Sequence, residues 1–343
     1  MVPALAVAEA LRAEGAEVSF IGGERAESEL VPAAGFPLDT ITVTGLSRSH
    51  PLRALRALAL AAVAVPRARS LLATIDPDAV MGGGGYVAGP VGLAALTLRI
   101  PLVLTEADSH LGLTNRLLAP FARRVCLAFP VAGRDGARYR VTGRPVSAPT
   151  GDRGAARARF GLAPDELCVL VFGGSLGARS INLAAVEALA GGPHRVLHVC
   201  GRRDHAELSA IAPGAGAPGG VYDLREYLDL ADFEEALAAA DLVVARAGGS
   251  VFEIAAHGLP AILVPYPHAS GDHQSANARW MADAGAAVVI ADGELSARRL
   301  RGEVAALLGD RERLRAMAAA AGRLARPNAA REVAAELLEA AGG

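Results

Sequence analysis

The chain has 343 residues, which exceeds the usual size of one domain and predicts two. Hydrophobic residues make up 52% of it, with 4% aromatic and 20% charged residues, a composition typical of an aliphatic-rich α/β protein. The formal net charge of -2 argues against a nucleic-acid partner. All 34 basic residues are arginines, and the absence of lysine excludes Walker A sites, pyridoxal Schiff bases and protein-kinase ATP sites.

The cysteines and the lengths of the apolar runs indicate the cellular compartment of the protein. The three cysteines lie far apart without C-x-x-C spacing, which is typical of reduced, buried thiols. The sequence has no recognisable cleavable leader and no apolar run of the roughly 18 residues that a spanning helix needs. We therefore expect a cytoplasmic protein.

The first predicted element is an amphipathic helix in VPALAVAEALRAEG, followed by a strand in EVSFIGG. A doubly wound domain normally begins with a strand and a glycine-rich turn ahead of its first helix. No such unit precedes this helix. We expect that the first strand and glycine loop of the domain are missing, and that the functional domain begins before Met1.

The next predicted helix, in residues 47–72, combines an apolar body with arginines. Core packing explains such a helix, but a basic and apolar surface can also lie on an anionic membrane face. Its arginines are Arg48, Arg53, Arg56, Arg67 and Arg69.

Two polar loops follow predicted strands in the first half. MGGGGYVAGP, residues 81–90, offers glycine amides, and LTEADSHLGLTN places Glu106 and Asp108 after a strand. Carboxylates there can act as a general base or bind sugar hydroxyls, although a solvated turn has the same pattern. The Asp76-x-Asp78 pair lies ahead of its strand, and no other His, Asp or Glu cluster has ligand spacing, so no metal site is predicted.

A segment rich in Pro, Gly and Arg follows, and we interpret residues 146–160 within it as a linker. Beyond it, FGGSLGARSIN, residues 172–182, follows a strand and opens a helix, so its glycines either bind phosphate or allow close packing. The G-x-G-x-x-G pattern fails at Phe172, and no acidic residue follows about 20 positions later, which disfavours a nicotinamide dehydrogenase.

RAGGSVFEIAAHGLP, residues 246–260, places a glycine pair before a short helix. Ser250 and Glu253 have the spacing of a capping box, and the same helix start suits a phosphate or a sugar-nucleotide hydroxyl. The polar loop PYPHASGDHQSANA, residues 265–278, enters the next helix and is a second candidate binding loop.

Seven short aliphatic runs are predicted strands: EVSFIGG, DAVMGGGG, PLVLTEA, LCVLVFGGS, RVLHVCG, DLVVARAGG and AILVPYP. They alternate with helical patterns, which predicts an α/β protein with two Rossmann-like, doubly wound parallel-sheet domains facing a cleft. The predicted segments are an amino-terminal domain over 1–145, a linker over 146–160, a second domain over 161–325 and a carboxyl-terminal helix over 326–343.

Several of these stretches together resemble the MurG family of GT-B glycosyltransferases: LVPAAGFPL, GGGGYVAGP, EADSHLGLTN, GGSLGARSIN and residues 246–278. Members of that family transfer N-acetylglucosamine from UDP-N-acetylglucosamine to undecaprenyl-pyrophosphoryl-MurNAc-pentapeptide, with inversion at the anomeric carbon. The resemblance implies a peptidoglycan-synthesis enzyme on the inner face of the cytoplasmic membrane. It implies no cofactor besides the UDP-sugar donor.

The resemblance also implies residue roles. In the second domain, the diphosphate meets Gly174 and Ser175, the uracil meets Tyr227 and Leu228, Glu253 holds the ribose, and the sugar meets His273 and Gln274. The implied donor-binding residues are Gly174, Ser175, Tyr227, Leu228, Arg246, Gly248, Glu253, His273 and Gln274. The implied acceptor-binding residues are Gly84, Gly85, Tyr86 and Asn115, with Glu106 and Asp108 as catalytic carboxylates.

Three short stretches depart from the family pattern. This chain has TEAD where the family usually has His-Glu-Gln-Asn, Leu176 where Gln is common, and GRPVS in place of Gly-Asn-Pro-Val-Arg. The altered TEAD and GRPVS stretches favour an alternative, a related GT-B enzyme with another lipid or secondary-metabolite acceptor. The missing first loop leaves a third possibility open, a nucleotide-sugar-binding remnant that lost its activity along with that loop.

Overall fold

The computed structural model describes residues 1–23, 27–43, 51–146, 149, 152–174, 177–212 and 221–342, without the side chains of residues 51–62 and 270. The chain divides into two compact units. The first unit contains Met1–Val146 and Arg326–Gly343, and the second contains Ser147–Ala325.

The first unit alternates short strands with helices. Its helices are α1 (Val2–Ala13), α2 (Glu27–Ala33), α3 (Pro51–Ile75), α4 (Gly85–Leu98) and α5 (Leu113–Leu118). Its strands are β1 (Phe20–Gly22), β2 (Leu38–Thr40), β3 (Val80–Gly82), β4 (Leu102–Glu106), β5 (Arg124–Leu127) and β6 (Tyr139–Val141).

These six strands form two separate parallel sheets. One has the order β1-β2, and the other has the order β3-β4-β5-β6. Within the described residues, β1 and β3 each have one unpaired edge, because no ladder joins the two sheets. An unpaired edge leaves a row of backbone amide and carbonyl groups without strand partners.

Three groups of buried side chains hold the first unit together. Apolar residues of α4, β4 and β5 form the main core, which includes Val91, Leu104 and Val125. A second core joins α1 to the carboxyl-terminal helix through Val7 and Val333. A third, small core around Val31 and Phe36 lies beside β1 and β2.

The second unit is built from the remaining elements. Its helices are α6 (Arg153–Arg159), α7 (Arg179–Leu189), α8 (His205–Ile211), α9 (Leu230–Ala239), α10 (Val251–Ala256), α11 (His273–Asp283), α12 (Ala297–Gly309) and α13 (Arg311–Leu324). Its strands are β7 (Cys168–Phe172), β8 (Arg195–Val199), β9 (Tyr222–Arg225), β10 (Leu242–Ala245), β11 (Ala261–Leu263) and β12 (Ala287–Val289).

All six of these strands belong to one parallel sheet of order β12-β11-β10-β7-β8-β9. The order runs outward in both directions from the β7–β10 pair, as in a doubly wound fold. Every residue of β7, β8 and β10 is buried. Burial on both faces explains why β7 and β10 are continuous apolar runs rather than alternating patterns. The predictions of parallel sheets and of strands at β1, β3, β4, β7, β8, β10 and β11 are confirmed.

The predicted linker contains helix α6, which is part of the second unit. Asp152 caps this helix by accepting from the Ala155 amide at 2.9 Å. Arg157 is buried and donates to the carbonyl of Ala239 at 2.9 Å, and it also pairs with Asp241. The residues from 152 onward are therefore fixed to the second unit by hydrogen bonds.

The last helix, α14 (Ala329–Gly342), packs in the first unit. Arg124 at the start of β5 donates to Glu336 and to Glu339, in both cases at 2.8 Å. The chain thus returns to its first unit at its carboxyl end.

Candidate functional site

In the second unit, the strand order reverses between β7 and β10. The last residues of these strands, Phe172 and Ala245, are paired in register. The loops that begin at Gly173 and Arg246 therefore start next to each other, at the carboxyl ends of these two neighbouring strands. In open α/β sheets, ligands bind at the carboxyl ends of the strands at such a reversal.

The loop after β7 contains glycines of two kinds. A side chain on Gly173 would overlap the backbone of Ala178, and one on Gly177 would overlap the Cys200 carbonyl. Gly174 has φ 88°, and no atom of the described residues lies within 4 Å of the place that a side chain would take. The space beside its Cα is therefore not filled by described residues, which allows a phosphate to approach closely. Ser175, predicted to bind with it, lies outside the described residues.

A buried polar network supports this loop. The amide of Asn182 donates to the Cys200 carbonyl and to Asp204, in both cases at 2.8 Å. Its oxygen lies 3.0 Å from Nε2 of His198, whose Nδ1 lies 2.9 Å from the Tyr222 hydroxyl. Because Gly177 packs on the same Cys200 carbonyl, the network fixes the far end of the loop.

Arg246 joins three parts of the second unit instead of pointing into open space. Its guanidinium donates to Asp292 at 2.6 Å, to the Ser180 hydroxyl at 2.9 Å and to the Val264 carbonyl at 3.1 Å. Burial raises the pKa of Asp292, but the hydrogen bonds from Ser180 and Arg246 outweigh it, and the net shift is downward. Asp292 is therefore a carboxylate that holds Arg246 in place.

The predicted capping box at the start of α10 is wrong. Ser250 has helical dihedral angles, φ -61° and ψ -10°, and its side chain caps no amide. The amides of Val251 and Phe252 bond to the carbonyls of Gly248 and Gly249, so backbone groups take the place of a side-chain cap. Glu253 lies in the first turn of α10 and is partly buried.

The loop from β11 to α11 approaches the same region. The amide of Asn277 donates to the Ala247 carbonyl at 3.0 Å and ties α11 to the glycine pair. Gln274 accepts from the Tyr266 amide at 2.9 Å, and its nitrogen lies 4.0 Å from where a side chain on Gly248 would begin. His273, also predicted to contact the sugar, is the first residue of α11.

The structure brings some predicted donor residues together and sets others apart. Gly248 and Gln274 are neighbours, and Gly174 and Arg246 lie in the adjoining loops after β7 and β10. Tyr227 and Leu228 follow β9, two strands away from β7. Tyr227 is 53% exposed, whereas Leu228 is buried.

In the first unit, the two predicted catalytic carboxylates have different surroundings. Glu106 is buried and accepts from the Gly112 amide at 2.8 Å, from Asn115 at 2.9 Å and from the Asp108 amide at 3.2 Å. Its carboxylate therefore organises the loop after β4. Asp108 is partly exposed on that loop.

The glycine loop after β3 lies against this carboxylate cluster. Gly84 and Gly85 have φ 74° and 76°, and a side chain on Gly84 would come within 3.4 Å of the Asn115 amide. Asn115 is buried, and its oxygen has no hydrogen-bond partner among the described residues. Tyr86 follows in the first turn of α4. The four predicted acceptor residues are thus close along the loop or in contact with it.

Comparisons with known proteins cover both units. The model of the glycosyltransferase family 28 N-terminal domain matches residues 1–127, and that of the glycosyltransferase family 28 C-terminal domain matches residues 168–335. The UDP-N-acetylglucosamine--N-acetylmuramyl-(pentapeptide) pyrophosphoryl-undecaprenol N-acetylglucosamine transferase of Moorella thermoacetica is 44% identical, over 95% of this chain and 92% of its own. The protein of that name from Rubrobacter xylanophilus is 45% identical, over 97% and 98% of the two chains. The crystal structure of MurG from Acinetobacter baumannii matches with a TM-score of 0.74 and 32% identity, over 98% of this chain and 95% of that one.

The chain belongs to the MurG family of glycosyltransferases. The predictions of the family and of a two-domain α/β fold of the GT-B type are therefore confirmed.

Sequence reasoning missed several residues that shape this MurG-family site. Asn182, Asn277 and Asp292 hold its loops in place, and none of them was predicted to do so. The sequence contained one signal of the buried polar network. His198 lies within the strand RVLHV, and a polar residue in a buried strand requires buried hydrogen-bond partners.

Proposed function

We propose that this chain transfers N-acetylglucosamine from UDP-N-acetylglucosamine to the MurNAc 4-hydroxyl of undecaprenyl-pyrophosphoryl-MurNAc-pentapeptide. The observation that carries the proposal is the reversal point between β7 and β10, where the open backbone of Gly174 adjoins the loop that leads to Glu253. The relatives of 44% and 45% identity, which bear the name of this activity, support it.

On the donor side, the backbone of Gly174, with Ser175, takes the diphosphate. Glu253 accepts hydrogen bonds from the ribose hydroxyls, and Tyr227 and Leu228 frame the uracil. His273 and Gln274 contact the sugar. Arg246 and Gly248 shape the loop between them, because the Arg246 guanidinium is already bonded to Asp292 and Ser180.

On the acceptor side, Gly84, Gly85, Tyr86 and Asn115 contact the lipid-linked sugar. The unpartnered oxygen of Asn115 supports this placement, because a buried acceptor gains a hydrogen bond when a hydroxyl or amide of a ligand reaches it. The MurNAc 4-hydroxyl oxygen attacks the anomeric carbon, and the bond from that carbon to the UDP oxygen breaks. UDP leaves with the electron pair, and a carboxylate takes the hydroxyl proton.

Of the two carboxylates, Asp108 is the better candidate base. Glu106 already accepts three hydrogen bonds, which occupy its oxygens. Asp108 is partly exposed and bonds to Glu106 only through its backbone amide. Glu106 then positions the loop on which Asp108 lies.

We further propose that the first unit attaches to an anionic membrane face. No helix among the described residues is long and apolar enough to cross a bilayer. Leu113, Leu117 and Phe121 are 50%, 64% and 68% exposed, and Arg116 and Arg123 beside them are exposed as well. Such a surface suits peripheral attachment.

The helix predicted to lie on the membrane is described only in part. In α3, Val63 and Arg67 are exposed. Arg69 donates to Thr97 at 2.9 Å. Arg48 and the side chains of Arg53 and Arg56 lie outside the described residues.

The donor site is tested with Glu253→Ala. We expect the dissociation constant of UDP to rise about tenfold or more, as for the loss of a charged hydrogen bond to a ligand. Glu312→Ala, in the first turn of α13 and exposed, is the matched control. An unchanged dissociation constant in folded Glu253→Ala would exclude the ribose role.

The acceptor chemistry is tested with the double variant Glu106→Gln and Asp108→Asn. Turnover of UDP-N-acetylglucosamine with a lipid I analogue should fall at least about a hundredfold, while UDP binding is retained. Full turnover would remove both carboxylates from the mechanism. Donor binding without any turnover by the unaltered chain would instead favour another acceptor or an inactive protein.

A further inference from the structure

A buried carboxyl group and a buried imidazole lie close together at the carboxyl end of α10. Glu234 of α9 and His257 at the end of α10 have side chains that are 6% and 3% exposed. Their atoms Oε2 and Nε2 lie 3.4 Å apart, and neither atom makes a hydrogen bond that meets the usual geometric limits among the described residues. Neither residue was predicted to have a functional role.

The position of one proton in this pair follows from its geometry. Nδ1 of His257 lies 2.9 Å from the backbone carbonyl of Glu253, and a carbonyl can only accept, so Nδ1 carries a hydrogen. Nε2 then faces Oε2 of Glu234. Two lone pairs would repel each other there, so a proton must lie between them, on the acid or on the ring.

The pair is linked to the predicted ribose ligand. Glu253 and His257 lie one helical turn apart and share one face of α10. The backbone of Glu253 is bonded to His257 through both the ring and the His257 amide, at 2.9 Å and 3.0 Å. A change of charge at Glu234 therefore acts on the residue that would bind the ribose.

We infer that Glu234 and His257 share a proton that positions Glu253, so that the affinity for the nucleotide-sugar donor falls when this proton is lost at higher pH. The inference rests on the proposed ribose role of Glu253. Its ligand class is a nucleoside diphosphate sugar with free ribose hydroxyls.

The pKa directions agree with this geometry. Burial, and then the nearby Glu253 carboxylate, raise the pKa of Glu234 to about 7. Burial lowers the pKa of His257, and its backbone hydrogen bonds oppose that shift. The proton accordingly resides on Glu234, which donates to the neutral ring.

Other charged groups around the pair are paired with each other or exposed. From α6, Arg159 pairs with Asp232 and Glu235 of α9. Helix α13 packs on α10, and its charged side chains are exposed to solvent. The group of α13 that lies near Gly258 is the uncharged backbone carbonyl of Ala318. α11 packs Trp280 on Phe252. Among the described charged groups, Glu253 is the one that acts on Glu234.

Loss of the proton places a second negative charge beside Glu253 in a buried site. The two carboxylates then repel each other, and Glu253 moves away from its binding position. This movement weakens a hydrogen bond from a ribose hydroxyl. Raising the pH from about 6 to about 8.5 should therefore raise the donor dissociation constant about tenfold, equivalent to one pKa unit of coupling.

The test compares donor binding by three full-length proteins across this pH range. The probe is UDP-N-acetylglucosamine, because its two phosphate groups remain fully ionised throughout. Glu234→Gln keeps the shape of the side chain and a donor for Nε2 but cannot titrate, so its affinity should be nearly independent of pH. Glu235→Gln, on the next residue of α9, is the matched control and should keep the wild-type profile. Equal pH profiles for wild type and Glu234→Gln would overturn the inference.

A spectroscopic measurement separates this inference from the proposed function. In ligand-free protein labelled with ¹⁵N at histidine, His257 should show a protonated Nδ1 and an Nε2 that accepts a hydrogen bond at about pH 6. This Nε2 signal should shift as Glu234 titrates near pH 7, and the shift should be absent in Glu234→Gln. If Nε2 shows no such change, the shared proton does not exist, whatever UDP binding shows. If Glu253→Ala leaves UDP affinity unchanged, the ribose role fails while this signal remains.

Discussion

His198 shows how one buried polar residue sets the direction of a hydrogen-bond network. Because the Asn182 amide nitrogen already donates to Cys200 and Asp204, its oxygen is left as the acceptor. Nε2 of His198 must then donate to that oxygen, and Nδ1 accepts from the Tyr222 hydroxyl. Burial lowers the pKa of His198 to about 3, so the ring is neutral at physiological pH.

Replacing His198 by Leu should lower the free energy of unfolding by about 2 to 4 kcal/mol. The substitution leaves the Asn182 oxygen and the Tyr222 hydroxyl buried without a partner, at about 1 to 3 kcal/mol each. His194→Leu, at a partly exposed position before β8, is the matched control and should cost less than about 1 kcal/mol. Urea unfolding followed by the fluorescence of Trp280, the single tryptophan, measures both. Equal costs for the two variants would show that the network adds no stability.

The same residue gives stability a pH dependence. His198 binds a proton near pH 6.5 when unfolded but only near pH 3 when folded, so between these values the unfolded chain holds more protons. Stability should therefore fall as the pH is lowered from about 6.5 toward 3. His198→Leu should lose this part of the slope in urea titrations at a series of pH values. An unchanged slope would mean that other groups cause the acid sensitivity.

At the scale of helices and strands, the sequence predicted what depends on local pattern. Continuous apolar runs identified β7, β10 and β11, because strands buried on both faces leave that signature. The strands β2, β5, β6, β9 and β12 were not predicted. Four of these five short strands contain a charged residue, as in LDT and YDLR, so no continuous apolar run marks them.

The candidate site, too, could be predicted from the sequence only where it depends on local pattern. Glycine loops could be predicted because a strand followed by glycines and a helix is a local pattern. The capping box failed because Ser250 adopts helical dihedral angles, which spacing alone does not reveal. The bonds of Arg246 to Ser180 and Asp292 join residues 66 and 46 positions apart, and only the folded sheet brings them together.

Helix α6 depends on one carboxylate at the start of β10. Asp241 pairs with Arg153 at 2.7 Å and with Arg157 at 3.3 Å, and it accepts from the Cys168 amide at 2.9 Å. The same two arginines donate to the carbonyls that end α9. Asp241 thereby joins α6, β7 and β10, although α6 is more than 70 residues away from it in sequence.

Asp241→Asn should destabilise the second unit by about 3 to 5 kcal/mol, because it leaves the buried Arg157 without its counter-charge. Asp232→Asn provides the matched comparison. It removes an ion pair to Arg159, a side chain that is 54% exposed, and should cost at most about 1 kcal/mol. Urea unfolding reported by Trp280 is again suitable, since this residue lies in the second unit. Similar costs for the two variants would show that burial does not distinguish the pairs.

At the scale of the whole molecule, the two units differ in how their sheets are built. The second unit has one sheet of six strands, and a large buried core on it includes residues of β7, β8, β9, β10 and β11. The described residues of the first unit form two separate sheets and three distinct cores. The β1–β2 pair lies beside the smallest of these cores, which is formed by Ala8, Val31 and Phe36. A two-stranded sheet with so little buried apolar surface is only weakly stabilised.

The amides of β1 and β2 should therefore exchange with solvent faster than those of the second unit's sheet. The matched comparison is β11, which also has three residues but pairs with β10 on one edge and β12 on the other. Strand length is thus equal, and only pairing and burial differ. Local opening has a lower free energy where few contacts must break. The Phe20 amide donates to the Pro37 carbonyl at 2.9 Å and the Ala261 amide to the Ala286 carbonyl at 3.2 Å, so both are hydrogen-bonded at the start of a three-residue strand. Phe20 should exchange at least about a hundredfold faster than Ala261 after correction for intrinsic rates. Hydrogen exchange followed by NMR at neutral pH measures both in one sample. Equal protection of the two amides would show that β1 is held as firmly as an interior strand and that its unpaired edge carries no energetic cost.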